Sequence, residues 1–417
     1  MLTTEPERPP DSAPRIRWLL CGMLFLATTL NYLDRQVLGI VAPLLQRDLS
    51  LDNAALGWLF SVFYYTYTFA QFAAGPVLDR VNLRWAYGLA VVLWSAAGAL
   101  TATARGFASL LAFRMLLGVM ESANWPAAMR IVARILPPSE RALGNGIFTS
   151  GTSVGALIAP GLVLWITHRF GWRAAFLVVG SFGAAWFLLW LFVSGHRAFG
   201  RAWNPERLPG SALSGYAAIL RSARFWRVFC VTILVNPCLY YHLNWLPTYF
   251  VQRWRLDLGG SLGVMLTAIY VGLDLGYLTC GLAVMAMVRR GVNLPTARAA
   301  VVVAASVLLA ASALVPLAQS PQQALMLLIL TNFAIGIWIA MYLTMAQEVS
   351  STRISTAAGL LGGSGSLAGA LAMWAVGRVT QSTGSFSAPF VAVAAAGALA
   401  ALAGLAVTRY NSSEESA

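Results

Sequence analysis

Residues 18–43 read WLLCGMLFLATTLNYLDRQVLGIVAP: an apolar run as long as a bilayer is deep, with Asp34 and Arg35 set side by side inside it. A helical span needs about 20 apolar residues at 1.5 Å rise each. The run meets that length, and eleven further apolar runs follow it. Their expected positions are near 54–78, 85–104, 107–135, 142–167, 171–194, 225–250, 260–288, 297–318, 321–348, 354–377 and 385–408. Apolarity is continuous along each rather than alternating, which points to helices and excludes a barrel.

Composition agrees. Of 417 residues, 59% are hydrophobic and 10% charged, against about 25% charged in an average soluble domain. Lipid can cover that much apolar surface; a soluble core cannot. The fold class expected is an all-α membrane protein of about twelve spans. The widest gap, 195–224, divides them six and six. The layout expected is a polar tail over 1–17, a six-helix bundle over 18–194, a linker loop over 195–224, a second bundle over 225–408 and a tail over 409–417. Pro43 is expected to end the first helix, Pro76 to sit at the end of the second and Asn236-Pro237 to interrupt the seventh, because proline removes a backbone bond and bends a helix.

The net charge is +13, and all 28 basic residues are arginine. They are scattered over short loops, which disfavours a nucleic-acid surface and favours a topological role. With the N-terminus inside, 19 arginines face the cytoplasm and seven lie outside: Arg47, Arg105, Arg169, Arg173, Arg253, Arg255 and Arg378. That bias puts both termini in the cytoplasm. No cleavable signal peptide is evident. Cys21, Cys230, Cys238 and Cys280 lie in apolar segments without a CxxC spacing and are expected to be buried side chains rather than ligands.

Five charges inside the spans carry the functional reading: Asp34, Arg35, Arg114, Glu121 and Asp274. Each costs roughly 2.5–3.5 kcal/mol at a helix centre, and such residues face a wet interior and mark a transport path. Arg114 and Glu121 are seven apart, on one face of the fourth helix with Gly118 between them. Tyr32 and Arg35 are three apart on the first. An arginine fork matches a carboxylate, so two interior arginines indicate an anionic guest. A carboxyl group that is neutral on one side and ionised on the other would couple that guest to protons. Salt bridges between helices, Asp34 with Arg114 or Glu121 with Arg35, are the structural alternative, and one pairing does not exclude the other role.

Tyr64, Tyr65 and Tyr67 crowd the second helix; Tyr240, Tyr241, His242, Asn244 and Trp245 crowd the seventh. They would line a sugar-sized cavity or form an interfacial belt. His242 reads as a hydrogen-bonded bundle residue before a proton relay. The glycines 359, 362, 363, 365 and 369 of the eleventh run permit close helix packing. A nucleotide loop is a poor reading of GGSGS, since no strand precedes it and no lysine follows. No GxSxG or metal cluster speaks for an enzyme.

These motifs resemble the anion:cation symporters of the major facilitator superfamily, and most of all the bacterial hexuronate and hexonate transporters. NYLDRQVLGIVAP (31–43), GPVLDR (75–80), the block RMLLGVMESANWPAAMRIVARILPPSERALGNGIFTSGTSVGALIAP (114–160), NWLPTYF (244–250), YVGLDLG (270–276) and RRG (289–291) carry the resemblance over about residues 16–408. It implies the twelve-helix facilitator fold, two six-helix halves around a central cavity, and proton symport of a sugar acid. It assigns proton coupling to Asp34 and Glu121. It assigns the substrate or its acid partners to Arg35 and Arg114, with Tyr32 and Tyr67 at the cavity. Asn236, Tyr240, Asn244 and Asp274 are the candidate substrate contacts of the second half. Asp79, Arg80 and Arg141 are the candidate gating residues. It further implies a monomer in a bacterial inner membrane, with lipid around it and no cofactor, metal or nucleic acid. The loop that usually reads D-R-x-G has Asn82 for the glycine, a basic residue usual before RRG is Ala286, and a glutamine of some hexonate transporters is Thr152. The last leans toward hexuronate-like or other acids and away from galactonate. A proton-driven exporter of drugs or metabolites, a symporter of other carboxylates and a sensor without turnover are the alternatives. The two arginines would repel a cationic drug.

Overall fold

The computed structural model describes residues 14–51, 53–205, 211–256 and 260–414, and among them there is no strand. The helices in chain order are α1 (Pro14–Leu49), α2 (Asn53–Arg80), α3 (Leu83–Leu100), α4 (Phe107–Glu121), α5 (Asn124–Ile135), α6 (Arg141–Phe170), α7 (Trp172–Ser194), α8 (Ala212–Leu220), α9 (Ala223–Trp254), α10 (Gly260–Arg289), α11 (Leu294–Leu309), α12 (Pro321–Gln347), α13 (Ile354–Thr383) and α14 (Ser387–Glu414). Among the described residues, nine segments are long and apolar enough to cross a membrane. α2 and α9 fall short in composition because tyrosines dilute the one and Asn236, His242 and Asn244 the other. α4 falls short in length.

The expected interval 107–135 is two helices. Pro126 has no N–H to give the carbonyl four residues earlier, Ser122, and its ring crowds that carbonyl; the chain turns at Ser122–Ala123 and restarts as α5. Other prolines do less than expected. α1 continues past position 43 to Leu49, α2 carries Pro76 inside it, and α9 runs unbroken through Pro237 and Pro247. One lost backbone bond bends a helix without ending it where neighbouring helices and side chains serve the freed carbonyl. Cys230 corrects the cysteine expectation. It is exposed on the same flank of α9 as Trp226, whereas the other three are buried.

The chain forms two compact units. The first comprises Met1–Pro137, Ile147–Gly215 and Thr352–Leu360; the second comprises Pro138–Gly146, Tyr216–Ser351 and Leu361–Ala417. In unit 1, α3 packs on α7 and α2 on α4. In unit 2, α10 packs on α12 and α14 on α9 and α11. Part of the linker is folded into unit 1. Its turns at Arg197–Phe199 and Arg201–Trp203 bury Phe199 and Trp203. The Trp203 indole lies 5.6 Å from the Trp190 ring and donates to the Ser194 carbonyl at 3.0 Å. Of the expected tails, residues 1–13 and 415–417 lie outside the described residues, while α14 extends to Glu414.

Candidate functional site

Four of the five interior charges come together in unit 1. Arg35 projects from α1 and Glu121 from the last turn of α4, and Arg35 Nε donates to Glu121 Oε2 at 2.6 Å. Glu121 is fully buried and Arg35 nearly so. Asn31, one turn before Arg35, is buried beside Glu121. α2 supplies the floor. The Arg35 guanidinium carbon lies 5.0 Å from the Phe63 ring, 4.8 Å from Tyr67 and 4.9 Å from Tyr32. Arg114, from α4, sits 4.9 Å from the same Phe63 ring and gives Nε to the Leu59 carbonyl at 3.4 Å. Cations over aromatic faces within about 6 Å are attracted by the ring quadrupole, the more so when desolvated.

The helices meet this closely because α4 has no side chain at Gly118. A Cβ there would strike the Thr66 hydroxyl and come within 2.7 Å of the Phe63 carbonyl. Phe63, Tyr67 and Gln71 follow at i, i+4 and i+8, so they share the buried face of α2. The Gln71 amide donates to the Tyr67 hydroxyl at 3.5 Å. Tyr64 and Tyr65 are exposed, though the Tyr64 ring meets Phe63 edge-on at 5.3 Å and lies within electrostatic reach of Arg114.

Of the two salt bridges that the sequence allows, only Glu121 with Arg35 forms. Asp34 is buried on α1 near Arg114 and Glu121, and among the described residues neither Asp34 nor Arg114 makes an ion pair. The α3 backbone crowds Asp34: a Cβ on Gly98 would sit 3.1 Å from Asp34 Oδ1, and Asp34 Oδ2 has no hydrogen-bond donor. The constellation thus holds one closed pair, one buried acid and one buried base.

The second-half candidates lie in unit 2. On α9, the Asn236 amide donates to the Thr232 carbonyl at 3.0 Å, and the Tyr240 and Ser366 hydroxyls lie 3.3 Å apart. The glycine run of α13 serves these side chains. A Cβ on Gly365 would reach 2.9 Å from the Asn236 amide, and one on Gly369 would strike the Tyr240 ring. Asn244 is exposed and gives its amide to the Tyr240 carbonyl at 2.8 Å. Asp274 is half-buried on α10 between Gly272 and Gly276, which press on α12. His242 is fully buried, with Nδ1 2.8 Å from the Cys238 carbonyl.

The gating candidates part company. Asp79, fully buried at the end of α2, caps α13. It accepts from Ser355 N at 3.0 Å, Thr356 N at 2.9 Å and the Thr356 hydroxyl at 2.6 Å. The first N–H groups of a helix have no partner within it, and a carboxylate is their best acceptor. Arg130 backs the cap. Its Nε is 3.7 Å from Asp79 Oδ1, and its terminal nitrogens donate to the Leu78 and Asp79 carbonyls. Arg80 turns back to the Pro76 carbonyl of its own helix at 3.0 Å. Asn82, in place of the usual glycine, is extended at φ −65° and accepts from Trp85 N as the N-cap of α3. That geometry needs no glycine.

Arg141 opens α6 in unit 2, within electrostatic reach of Glu348 and Arg298. Glu348, just beyond α12, pairs with Arg298 at 2.8 Å and Arg224 at 2.9 Å. Burial alone would raise its carboxyl; Arg298 and then Arg224 outweigh burial and hold it below the ordinary carboxylate range. Asn145, one turn after Arg141, and Gln347, the residue before Glu348, exchange amide hydrogen bonds at 3.1 and 3.0 Å, and Asn145 also donates to Thr344. Sequence reading missed Phe63, Arg130, Asn145 and Glu348. Only Phe63 had a local signal, its spacing of four from Tyr67.

The Major Facilitator Superfamily profile matches residues 24–373. The hexuronate transporter of Bacillus subtilis (strain 168) is 30% identical over 401 residues, covering 93% of each chain. That of Escherichia coli (strain K12) is 28% identical over 402 residues, again 93% of each. Among solved structures, the human organic anion transporter MFSD10 superposes with a TM-score of 0.74 at 19% identity, over 93% of this chain and 99% of that one.

Proposed function

This chain belongs to the Major Facilitator Superfamily, a multi-pass membrane transporter and not an enzyme, and from that footing we propose that it takes up a sugar acid, a hexuronate or hexonate, together with protons. The observation that carries the reading is the leftover pair of charges in unit 1. Arg114 is a buried guanidinium that makes no ion pair among the described residues, although Glu121 and Asp34 lie within electrostatic reach, and a desolvated fork of that kind is completed by a guest carboxylate. Asp34 is a buried carboxyl with an oxygen that no donor serves among the described residues, and it is the acid we assign to carry a proton.

The closed pair supplies the coupling. While Glu121 is ionised it occupies Arg35. A proton on Glu121 releases that guanidinium, so an anion at Arg35 and a proton at Glu121 each favour the other, as linkage requires. Tyr32 and Tyr67 hold Arg35 in place by their ring faces and offer hydroxyls to a polyol. The named sugar-acid relatives support the substrate class. We place the protein in a bacterial inner membrane, as a monomer working by alternating access on the proton gradient without a cofactor. Galacturonate uptake into proteoliposomes is expected to rise under an inward proton gradient and to fall with a protonophore. Uptake indifferent to the protonophore would remove the coupling. Failure of every hexuronate and hexonate to compete would remove the substrate class.

A further inference from the structure

The Arg35–Glu121 pair depends on an angle that its own backbone does not set. Glu121 ends α4, and the chain turns at Ser122–Ala123 before α5 begins at Asn124. Ser122 and Ala123 both keep right-handed helical dihedrals, at φ −59° and −74°, and no side chain caps α5 from Ala123. A helix break without a cap or a glycine has no local feature that fixes its direction. The far end of α5 is fixed separately, by Arg134 donating to the Ala202 and Asn204 carbonyls at 2.8 and 2.6 Å.

Asn124 supplies the reference at the start. It is fully buried and bonded to two other helices. Its side-chain oxygen accepts from the Tyr87 hydroxyl of α3 at 2.9 Å, and its amide donates to the Thr28 hydroxyl of α1 at 3.5 Å. Tyr87 is itself firmly placed. Its ring packs edge-on against Trp186 and Trp190 at 5.7 and 5.5 Å, and those indoles donate to the Met23 and Arg84 carbonyls. Thr28 is buried two turns before Arg35 on the same face of α1, with Asn31 between them. One amide therefore refers both members of the pair to common ground: Glu121 lies three residues before it, and Arg35 seven beyond its partner Thr28. An apolar residue at 124 would fill the space without direction, since a hydrogen bond depends on angle and dispersion does not.

We propose that Asn124 is a positioning residue of proton coupling: by holding the α4–α5 break against α1 and α3, it keeps the Glu121 carboxylate in register with the Arg35 guanidinium. It acts through Glu121 and not by contact with the anion. The proposal rests on the reading of Glu121 as a coupling acid. Without the clamp the break is free to swing, the 2.6 Å contact is held in fewer of the carriers, and an anion at Arg35 no longer calls for a proton at Glu121.

The full chain is reconstituted in proteoliposomes, and two rates are read for galacturonate: accumulation under an inward proton gradient and counterflow without one. Asn124→Ala is expected to lower the first relative to the second about tenfold, which is one buried hydrogen-bonding group left unserved at about 1.4 kcal/mol, with the KM of counterflow unchanged. Tyr87→Phe is expected to lower the ratio nearly as far, and to add nothing to Asn124→Ala. Thr28→Val is expected to do less, since its bond is the longer one, and Thr28→Ser to restore the wild-type ratio. Should Asn124→Ala fail to fold, Tyr87→Phe and Thr28→Val, which keep the asparagine and remove one hydroxyl each, decide. Both rates falling in step would mark Asn124 as a residue of the fold alone and overturn the proposal. A wild-type ratio in Tyr87→Phe overturns it too, as do additive losses from Tyr87 and Asn124. Any of these in a carrier whose wild type is driven by the gradient leaves the coupling reading standing, whereas a wild type that the gradient does not drive sinks both together.

Discussion

Replacing Asp79 by asparagine tests the cap on α13 with little change of shape. The carboxylate accepts two backbone N–H groups and one hydroxyl at 2.6–3.0 Å. An asparagine presents one oxygen and one NH2, so at least one buried N–H of Ser355 or Thr356 faces a donor. An unserved buried donor costs about 1–3 kcal/mol. Arg130, also buried, loses its anion as well. Removing one partner of a buried pair costs about 3–5 kcal/mol. Here the lower end applies, because the contact is 3.7 Å and Arg130 keeps its carbonyl partners. Together the loss is expected to be about 4–6 kcal/mol.

Unfolding in mixed detergent–SDS micelles, followed by near-UV circular dichroism, measures it. The cycle with Arg130→Met separates the two parts. In that background Asp79→Asn is expected to cost only the cap, about 1–3 kcal/mol. Thr356→Val, which deletes the hydroxyl donor, is expected to destabilise the wild type and to do little once Asp79 is asparagine. Asp79→Asn within about 0.5 kcal/mol of wild type, the range of an ordinary surface substitution, would refute the cap. Additive losses from Asp79 and Arg130 would refute their pairing.

Glu121→Gln is expected to abolish uptake driven by a proton gradient while retaining exchange of galacturonate across the membrane; counterflow in proteoliposomes reads both, and loss of both would reassign Glu121 to the substrate. Arg114→Lys is expected to fail to rescue Arg114→Gln, because an ammonium lacks the planar fork; losing a charged hydrogen bond worth about 1.5–3 kcal/mol weakens galacturonate binding by about 10–150-fold, and a lysine variant of wild-type affinity would count against the fork. Phe63→Leu removes one ring from under both guanidinia and is expected to destabilise unit 1 by more than the same exchange at Phe69, which is exposed; equal losses would dismiss the ring's electrostatic role. For Glu348, a carboxyl held low by Arg298 and Arg224 stabilises the fold above its ordinary value near 4.5, and that contribution is lost as pH falls through its lower folded value. The stability gap between wild type and Glu348→Gln is therefore expected to be full at pH 7 and to close below pH 4.5; a gap that widens on acidification would contradict the sign.

The sequence conveyed the fold through what lipid requires of every span, continuous apolarity at bilayer length, and conveyed the site through what lipid forbids. Asp34, Arg35, Arg114 and Glu121 were visible because each violates that pattern. Partners made of backbone were not visible. Asp79 is 276 residues from Ser355, and the N–H groups it caps belong to every helix start alike. Glu348 was illegible for a similar reason, since Arg224 and Arg298 read as ordinary loop cations until two helix starts converge on it. Phe63 escaped because the neighbouring tyrosines drew attention as polar groups, although its spacing to Tyr67 was the better signal. Pro126 could have been read: its missing N–H breaks the fourth span one residue after Glu121, which leaves that carboxylate at a helix end.

The break at Ser122 also explains why these particular charges can share one place. A continuous helix would carry Glu121 in mid-span, its neighbours above and below fixed by the next turn. Ending α4 there lets Glu121 close on Arg35, while Arg114, two turns earlier on the same face, stays on the Phe63 ring. One aromatic ring thus holds two guanidinia at nearly equal distance, and among the described residues one of them, Arg35, is paired with an acid. Two like charges so placed repel, and a single carboxylate neutralises half of the pair. A second negative charge is what the arrangement lacks. Asp34 is close enough to feel Arg114 but is crowded by α3 at Gly98 and makes no ion pair with it. In the cycle we propose, a guest carboxylate takes the place at Arg114 while Asp34 carries a proton, so that the anion and the proton travel together without leaving two carboxylates opposed.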